Sequence, residues 1–180
     1  MKLSRSLFDS LALPHMEMLY RLARRMTGDF SGAEDLVQET YVHAYESLDS
    51  FELREFGVRP WLIQILRNLT TSRFRREKLM PRAIDDEQLA AVEGSVTAND
   101  DGQSFSFDGM DQRLAKAVKE LSSENQQLLW LWSVQGLSYK ELAAALQSPI
   151  GTIMSRLHRV REKLVARLSA KGVDAPGKLE

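Results

Sequence analysis

The chain has 180 residues, 43% of them hydrophobic and 27% charged, which suits one ordinary domain or two small ones and a folded, globular protein. It contains no cysteine, so disulfides, thiolate zinc sites, iron–sulfur clusters and cysteine nucleophiles are excluded, and the reducing cytoplasm is the expected location. Asp9, Arg21 and Arg67 interrupt the apolar stretches well before the roughly 18 residues needed to cross a bilayer, and no signal-peptide apolar region opens the chain; neither membrane insertion nor export is expected.

The formal net charge of −1 conceals an uneven distribution. Residues 1–80 carry 12 basic and 11 acidic side chains, residues 81–112 carry 1 and 8, and residues 113–180 carry 11 and 6. An acidic centre between a neutral and a basic segment reads as a connector between two modules, and the stretch around Glu93, Gly94, Asn99, Asp100 and Gly102 has almost nothing to bury. The expected division is an N-terminal domain over 1–81, an acidic flexible linker over 82–110, a C-terminal domain over 111–172 and a tail over 173–180.

Helical periodicity runs through both modules and no stretch shows β-type alternation, which predicts an all-α protein. Residues 1–13 carry no readable motif. Pro14 is placed to open a first helix that ends at Gly28, with Leu19, Leu22, Ala23 and Met26 at helical spacing. Ser31 and Glu34 have the spacing of a capping box at the start of a second helix that runs to about Leu48. On its wheel Ala33, Val37, Tyr41, Ala44 and Leu48 share one side, while Asp35, Gln38, Glu39, Val42 and Glu46 lie opposite. By itself that opposite face reads as ordinary solvated surface.

A loop over 49–58 leads to Pro60 and a helix from Trp61 to about Lys78. Leu62, Ile65, Leu66 and Leu69 are expected on its buried face. Gln64, Arg67, Asn68, Thr71, Arg75 and Lys78 gather on the other, with Trp61 at the flank. Residues 59–78 hold six basic side chains and one acidic, so the stripe combines phosphate-seeking cations with groups that bond base edges; a plain solubilising face is the alternative.

Beyond the linker, Ser123 and Gln126 suggest a capping box for a helix through Leu128, Leu129, Leu131 and Trp132 that ends at Gly136. Ser138 and Glu141 make a further box for a short helix bearing Leu142, Ala143 and Leu146. After the turn Gln147-Ser148-Pro149 a long helix starts near Ile150. Two short helices, a tight turn and a long basic helix form a helix-turn-helix. Ile150, Ile153, Leu157, Val160, Leu164 and Leu168 make the expected buried stripe of the last helix. Thr152, Ser155, Arg156, Arg159 and Lys163 point away from it, a face suited to the major groove of DNA, where Arg156 and Arg159 suit guanine edges or phosphates; an ordinary surface-charged helical hairpin is the alternative.

The run from Gly136 to Ala143 (GLSYKELA) and that from Ser148 to Arg159 (SPIGTIMSRLHR) closely resemble the minus-35-reading domain of bacterial extracytoplasmic-function sigma factors. Upstream, Ala33 to Thr40 (AEDLVQET), with Arg59-Pro60-Trp61-Leu62 and Leu66-Arg67-Asn68-Leu69, resembles the domain of the same family that docks on core RNA polymerase and opens the minus-10 element. The resemblance implies that Asp35, Gln38, Glu39 and Val42 meet the clamp helices of the polymerase largest subunit, with the polymerase flap as a further contact of the protein. It places Arg59, Trp61, Gln64, Arg67, Asn68, Thr71 and Arg75 at minus-10 DNA, with loop 51–58 capturing a flipped base. Phe51, Phe56 and Trp61 are equally placed to be core residues. It assigns Thr152, Ser155, Arg156, Arg159 and Lys163 to minus-35 DNA.

The acidic linker resembles the family's segment that threads the polymerase cleft, with an untethered spacer as the alternative, and an anti-sigma factor is a further partner the resemblance allows. Three departures stand out. Gln147 occupies a turn position often held by glycine, where a left-handed backbone costs about 1 kcal/mol. Met154 stands where a basic residue is common, and Val58-Arg59-Pro60-Trp61 replaces Phe-Arg-x-Trp. An enzyme is not expected: His15, His43 and His158 lack metal-ligand spacing, no glycine-rich phosphate loop is present, and neither cofactor nor metal is implied. The competing readings are a helix-turn-helix regulator with an N-terminal dimerisation or sensor domain, and a sigma mimic that sequesters an inhibitor.

Overall fold

The computed structural model describes residues 4–79 and 111–169, where every regular element is helical. The linker at 82–110 and the tail at 173–180 lie outside the described residues. The described residues divide into two compact units, one including residues 4–58 and 62–79 and the other residues 111–169.

The N-terminal unit begins with α1 (Arg5–Ala12), in the segment that carries no readable motif. Ser4 caps it by accepting the Leu7 N–H at 3.3 Å, and its two buried residues, Phe8 and Ala12, are one turn apart. Pro14 sits in a 3-10 turn, Leu13–His15, so the helix expected to open there, α2 (Met16–Thr27), starts later. Gly28 ends α2 in a left-handed conformation (φ 92°), donating its N–H to the Arg24 carbonyl at 3.0 Å.

The next helix, α3 (Phe30–Glu46), corrects the expected start. Asp29, rather than Ser31, is the cap: its carboxylate accepts the Gly32 N–H at 2.6 Å. A Cβ on Gly32 would lie 2.7 Å from Asp29 Oδ2, so a bulkier residue there would displace the cap. Ala33, Leu36, Val37, Thr40, Tyr41 and Ala44 are buried. The Thr40 hydroxyl donates to the Leu36 carbonyl at 2.7 Å, which satisfies it inside the core. Tyr41 donates its hydroxyl to the Ala12 carbonyl at 2.8 Å, and burial pushes its pKa up to about 12. Phe8 meets Tyr41 and Tyr45 edge-on, with centroid distances of 6.5 and 4.9 Å, so aromatic packing holds α1 on α3.

A 3-10 turn, Leu48–Ser50, and an irregular loop lead to α4 (Arg59–Leu79). The buried stripe of α4 is Leu62, Ile63, Leu66 and Thr70, while Ile65 and Leu69 are half-buried. The expected stripe is thus rotated. Apolar residues at 62, 63, 65, 66 and 69 leave two faces available, and Thr70 can turn inward because its hydroxyl donates to the Leu66 carbonyl at 2.8 Å.

The C-terminal unit starts with α5 (Gln112–Lys119), capped by Asp111, a helix that the sequence reading did not separate. Next comes α6 (Ser123–Ser133), which starts after Ser122 without a side-chain cap. Instead of closing a capping box, Gln126 donates from Nε2 to the carbonyls of Leu121 (2.8 Å) and Lys119 (3.2 Å), satisfying acceptors at the end of α5. The box expected for α7 (Tyr139–Ala145) is present: Glu141 donates its N–H to Ser138 Oγ at 3.3 Å, and Glu141 Oε2 accepts the Ser138 N–H at 2.8 Å. Leu142 and Ala145 are buried there, whereas Ala143 and Leu146 are half-buried.

Gln147 takes the left-handed conformation (φ 49°) between α7 and α8 (Ile150–Ser169), at a cost of about 1 kcal/mol relative to an unstrained backbone. The buried stripe of α8 is Ile153, Leu157, Val160 and Leu164. Ile150 was expected to join it and is 44% exposed; helical side chains lean towards the N-terminus, which carries that of the first residue off the end of the packed stripe. Leu168 is half-buried. Ala117, Val118 and Leu121 pack against Leu129, Val160 and Leu164. Arg167 fastens α8 to this layer through the Ala117 carbonyl (3.2 Å) and Glu120 (3.3 Å).

Candidate polymerase and nucleic-acid interfaces

The outward face of α3 carries Asp35, Gln38 and Val42, all exposed, and Glu39, half-buried. Val42 keeps 49% of its surface. Beside it an open groove of about 830 Å³ is lined by Leu13, Pro14, Met16, Tyr20, Val37, Tyr41, Val42 and Tyr45, with Glu17, Glu34 and Gln38 contributing polar groups. Leu13 and Met16 remain about half exposed. The groove exists because the 3-10 turn at Pro14 and the start of α2 lie alongside α3 without filling the space between them. An apolar floor with carboxylates around it suits an amphipathic helix carrying basic residues.

Glu39 differs from its three neighbours. Its Oε2 accepts from Arg73 Nη2 at 2.5 Å and Nε at 3.1 Å, while His43 Nε2 lies 3.9 Å from Oε1. Arg73, a residue the sequence reading passed over, therefore joins α4 to the acidic face of α3. It lies half a turn from Asn68 and Arg75, and so off the outward stripe of α4.

On that outward stripe Asn68, Thr71 and Arg75 are exposed, and Gln64 and Arg67 are half-buried. The Thr71 hydroxyl donates to the Arg67 carbonyl at 3.0 Å. Arg59 and Trp61 stand in the first turn; Gln64, Asn68, Thr71 and Arg75 share the face opposite Leu62, Leu66 and Thr70, with Arg67 at its flank. Before the helix, Gly57 takes φ 70° and donates to the Arg54 carbonyl at 3.0 Å, forming the turn that sets loop 51–58. In this loop Phe51 and Phe56 are half-buried and Val58 is buried.

On α8, Thr152, Ser155, Arg159 and Lys163 are exposed. The Ser155 hydroxyl donates to the Thr152 carbonyl at 3.1 Å, and Arg159 Nε donates to the Ser155 carbonyl at 3.3 Å. Arg156 is held back: Nη2 lies 3.0 Å from Glu124 Oε2 and 3.5 Å from Asn125 Oδ1, both on α6. A cleft of about 400 Å³ at this point is lined by Ser122, Glu124, Asn125, Arg156, Arg159, Val160 and Lys163. Three cations and one carboxylate share it, which suits a phosphate approaching the start of α6. Nothing in the local spacing of Glu124 and Asn125 marks them as part of this site. Among the described residues no cluster has the makings of a metal site, and no helix is long and apolar enough to cross a membrane.

Two helical units, the second carrying a helix-turn-helix, describe a multi-part transcription protein, and comparison with known proteins specifies it. Residues 11–79 match Sigma-70 region 2, and residues 111–164 match Sigma-70, region 4. The chain is 32% identical to the extracytoplasmic-function (ECF) RNA polymerase sigma factor SigW of Bacillus subtilis, over 86% of this chain and 84% of that one. It is 32% identical to EcfG of Rhodopseudomonas palustris, over 97% and 91%. SigE of Mycolicibacterium smegmatis is 33% identical across 87% of this chain, which spans 60% of that longer protein. Among solved structures, the sigma factor RpoE of Bartonella quintana, in complex with the anti-sigma factor NepR, superposes with a TM-score of 0.59 at 28% identity, over 90% of this chain and 96% of that one. CnrH, in complex with the cytosolic domain of CnrY, gives 0.58 at 25%, over 94% and 92%.

The chain belongs to the extracytoplasmic-function family of RNA polymerase sigma factors. It directs transcription initiation together with RNA polymerase and promoter DNA, and its family is not a class of enzymes.

Proposed function

We propose that the two jobs of a sigma factor are divided among three helix faces. The domain over 1–81 docks on the clamp helices of the polymerase largest subunit through Asp35, Gln38, Glu39 and Val42 and the adjoining apolar groove. In the same domain Arg59, Trp61, Gln64, Arg67, Asn68, Thr71 and Arg75 receive the minus-10 element and assist its melting. The domain over 111–172 reads the minus-35 element with Thr152, Ser155, Arg156, Arg159 and Lys163 and meets the flap. The connector over 82–110 joins the two domains, and the protein works in the cytoplasm without a cofactor or bond-making chemistry of its own.

The observation that carries this reading is the contrast between α3 and α8. One exposes carboxylates beside an apolar groove, as a helical protein partner requires, and the other exposes cations and hydroxyls, as DNA requires. The sigma factors RpoE and CnrH are solved with NepR and with the cytosolic domain of CnrY, the former named an anti-sigma factor, and this chain is proposed to be held inactive by such a partner. Run-off transcription with purified core polymerase tests the division. The intact chain yields a promoter-dependent transcript, Asp35→Lys loses it by failing to join core, and Arg159→Ala joins core but loses output at promoters that depend on the upstream element. Equal core binding by all three proteins contradicts the role of α3.

A further inference from the structure

The start of α8 carries an apolar pair that neither its packing nor its charge explains. Ile150 is 44% and Met154 50% exposed, one helical turn apart, although Ile153 and Leu157 beside them are buried. They border the exposed face of α8, with His158 between Met154 and Ser155 round the helix and Arg159 one turn after Ser155. Gly151, between them, adds no side chain, and a Cβ built there would meet nothing within 4 Å. The first two turns of α8 thus offer an open apolar step beside hydroxyls and a guanidinium. Val165 is also exposed but lies about three turns further on, beyond the N-terminal turns that reach base edges in a helix-turn-helix.

We propose that Met154, with Ile150 one turn before it, determines promoter specificity by covering the 5-methyl group of a thymine in the upstream element. This rests on the assignment of α8 to DNA. The chemistry selects the ligand. A thioether has no proton to donate, so Met154 gains nothing from the N7 or O6 acceptors of purines. The apolar feature displayed on a base edge in the major groove is the thymine methyl. Methionine suits it, because a long, flexible, polarisable side chain can settle over a methyl whose position depends on local groove shape. Arg156 is drawn towards Glu124 and Asn125, while Thr152, Met154, Ser155 and Arg159 stay exposed in the first turns of α8 and can reach base edges. A sigma factor with this arrangement prefers a thymine at the position facing Met154, over both cytosine and deoxyuridine.

The test uses the full chain assembled with core polymerase and an upstream element selected from a randomised promoter library. Each thymine of the element, on either strand, is replaced singly by deoxyuridine, which removes only the methyl. Holoenzyme affinity is expected to fall about fourfold at one or two neighbouring positions, the worth of one buried methyl-sized group. Met154→Ala, an exposed and helix-compatible change, is expected to abolish that sensitivity while leaving core binding unchanged. Deoxyuridine tolerated everywhere, an equal loss in Met154→Ala, or a selected element without thymine each overturn the proposal. Arg159→Ala in the same assay reports on the underlying assignment. If it weakens the upstream contact while the deoxyuridine scan is flat, only the thymine contact falls; if it has no effect, α8 is not the DNA face and both fall.

Discussion

The outward faces of α3 and α8 are built alike and charged oppositely. Each stands opposite a well-buried stripe, Ala33, Val37, Tyr41 and Ala44 in one and Ile153, Leu157, Val160 and Leu164 in the other. Each also contains one charged residue tied to a different helix, Glu39 to Arg73 and Arg156 to Glu124. The difference lies in what else the face carries: further carboxylates and, along one flank, an apolar groove on α3; hydroxyls and further cations on α8. A net charge near zero therefore says little about the partners of this chain. The sign of each face, and whether apolar surface accompanies it, says more. The tied residues are also the least independent members of their sets, because altering them disturbs a helix–helix contact as well as a binding surface.

The largest effect is expected from a double change on α3. Asp35→Lys with Val42→Asp reverses charge and removes apolar area at two exposed positions. Core polymerase affinity should fall by about 30-fold or more, as for a central interface residue, measured by fluorescence anisotropy, with the melting temperature nearly unchanged. Next, Arg159→Ala should weaken holoenzyme binding to an upstream-element promoter by roughly tenfold and reduce the salt slope by about one, because one phosphate or base-edge cation is lost. Arg156→Ala should cost less, since Glu124 already competes for that guanidinium. A greater loss at Arg156 would break the comparison between a residue tied to another helix and one that is not.

Two smaller effects concern the scaffold behind each face. Tyr41→Phe leaves the Ala12 carbonyl without its donor and should destabilise the N-terminal unit by about 1 kcal/mol in chemical denaturation. Tyr41 has a raised pKa in the folded state, so it favours folding fully below about pH 10, and this contribution is lost as pH rises towards about 12. The phenylalanine variant should lack that part of the alkaline sensitivity. In the C-terminal unit, Gln147→Gly relieves the left-handed strain but loosens the unfolded chain, giving a net gain of about 0.5 kcal/mol. An unchanged denaturation midpoint would show that the turn is not strained.

The helical character of both units and the outward faces of α3 and α8 were legible in the sequence, and the left-handed turn at Gln147 was signalled by the resemblance to a family that often has glycine there. There charged and apolar residues separate cleanly at helical spacing, and turn residues mark the ends. Where several choices satisfied the same rule, the sequence was ambiguous. Asp29 and Ser31 are both capping residues two positions apart, and only the reach of the Asp29 carboxylate to Gly32 decides between them. On α4 an apolar excess allowed two stripes, and packing selected the one containing Ile63 and Thr70. The short α1 buries only Phe8 and Ala12, too few to register as a periodic signal. The ties of Glu39 to Arg73 and Arg156 to Glu124 join residues 34 and 32 positions apart, beyond any local pattern.

The most direct test sets the two faces against each other in a single assay. Native co-elution with core polymerase should be lost by the Asp35→Lys, Val42→Asp protein and retained in full by Arg159→Ala. Loss of co-elution in Arg159→Ala, or its retention in the α3 double variant, would contradict the assignment of polymerase to one helix and promoter DNA to the other.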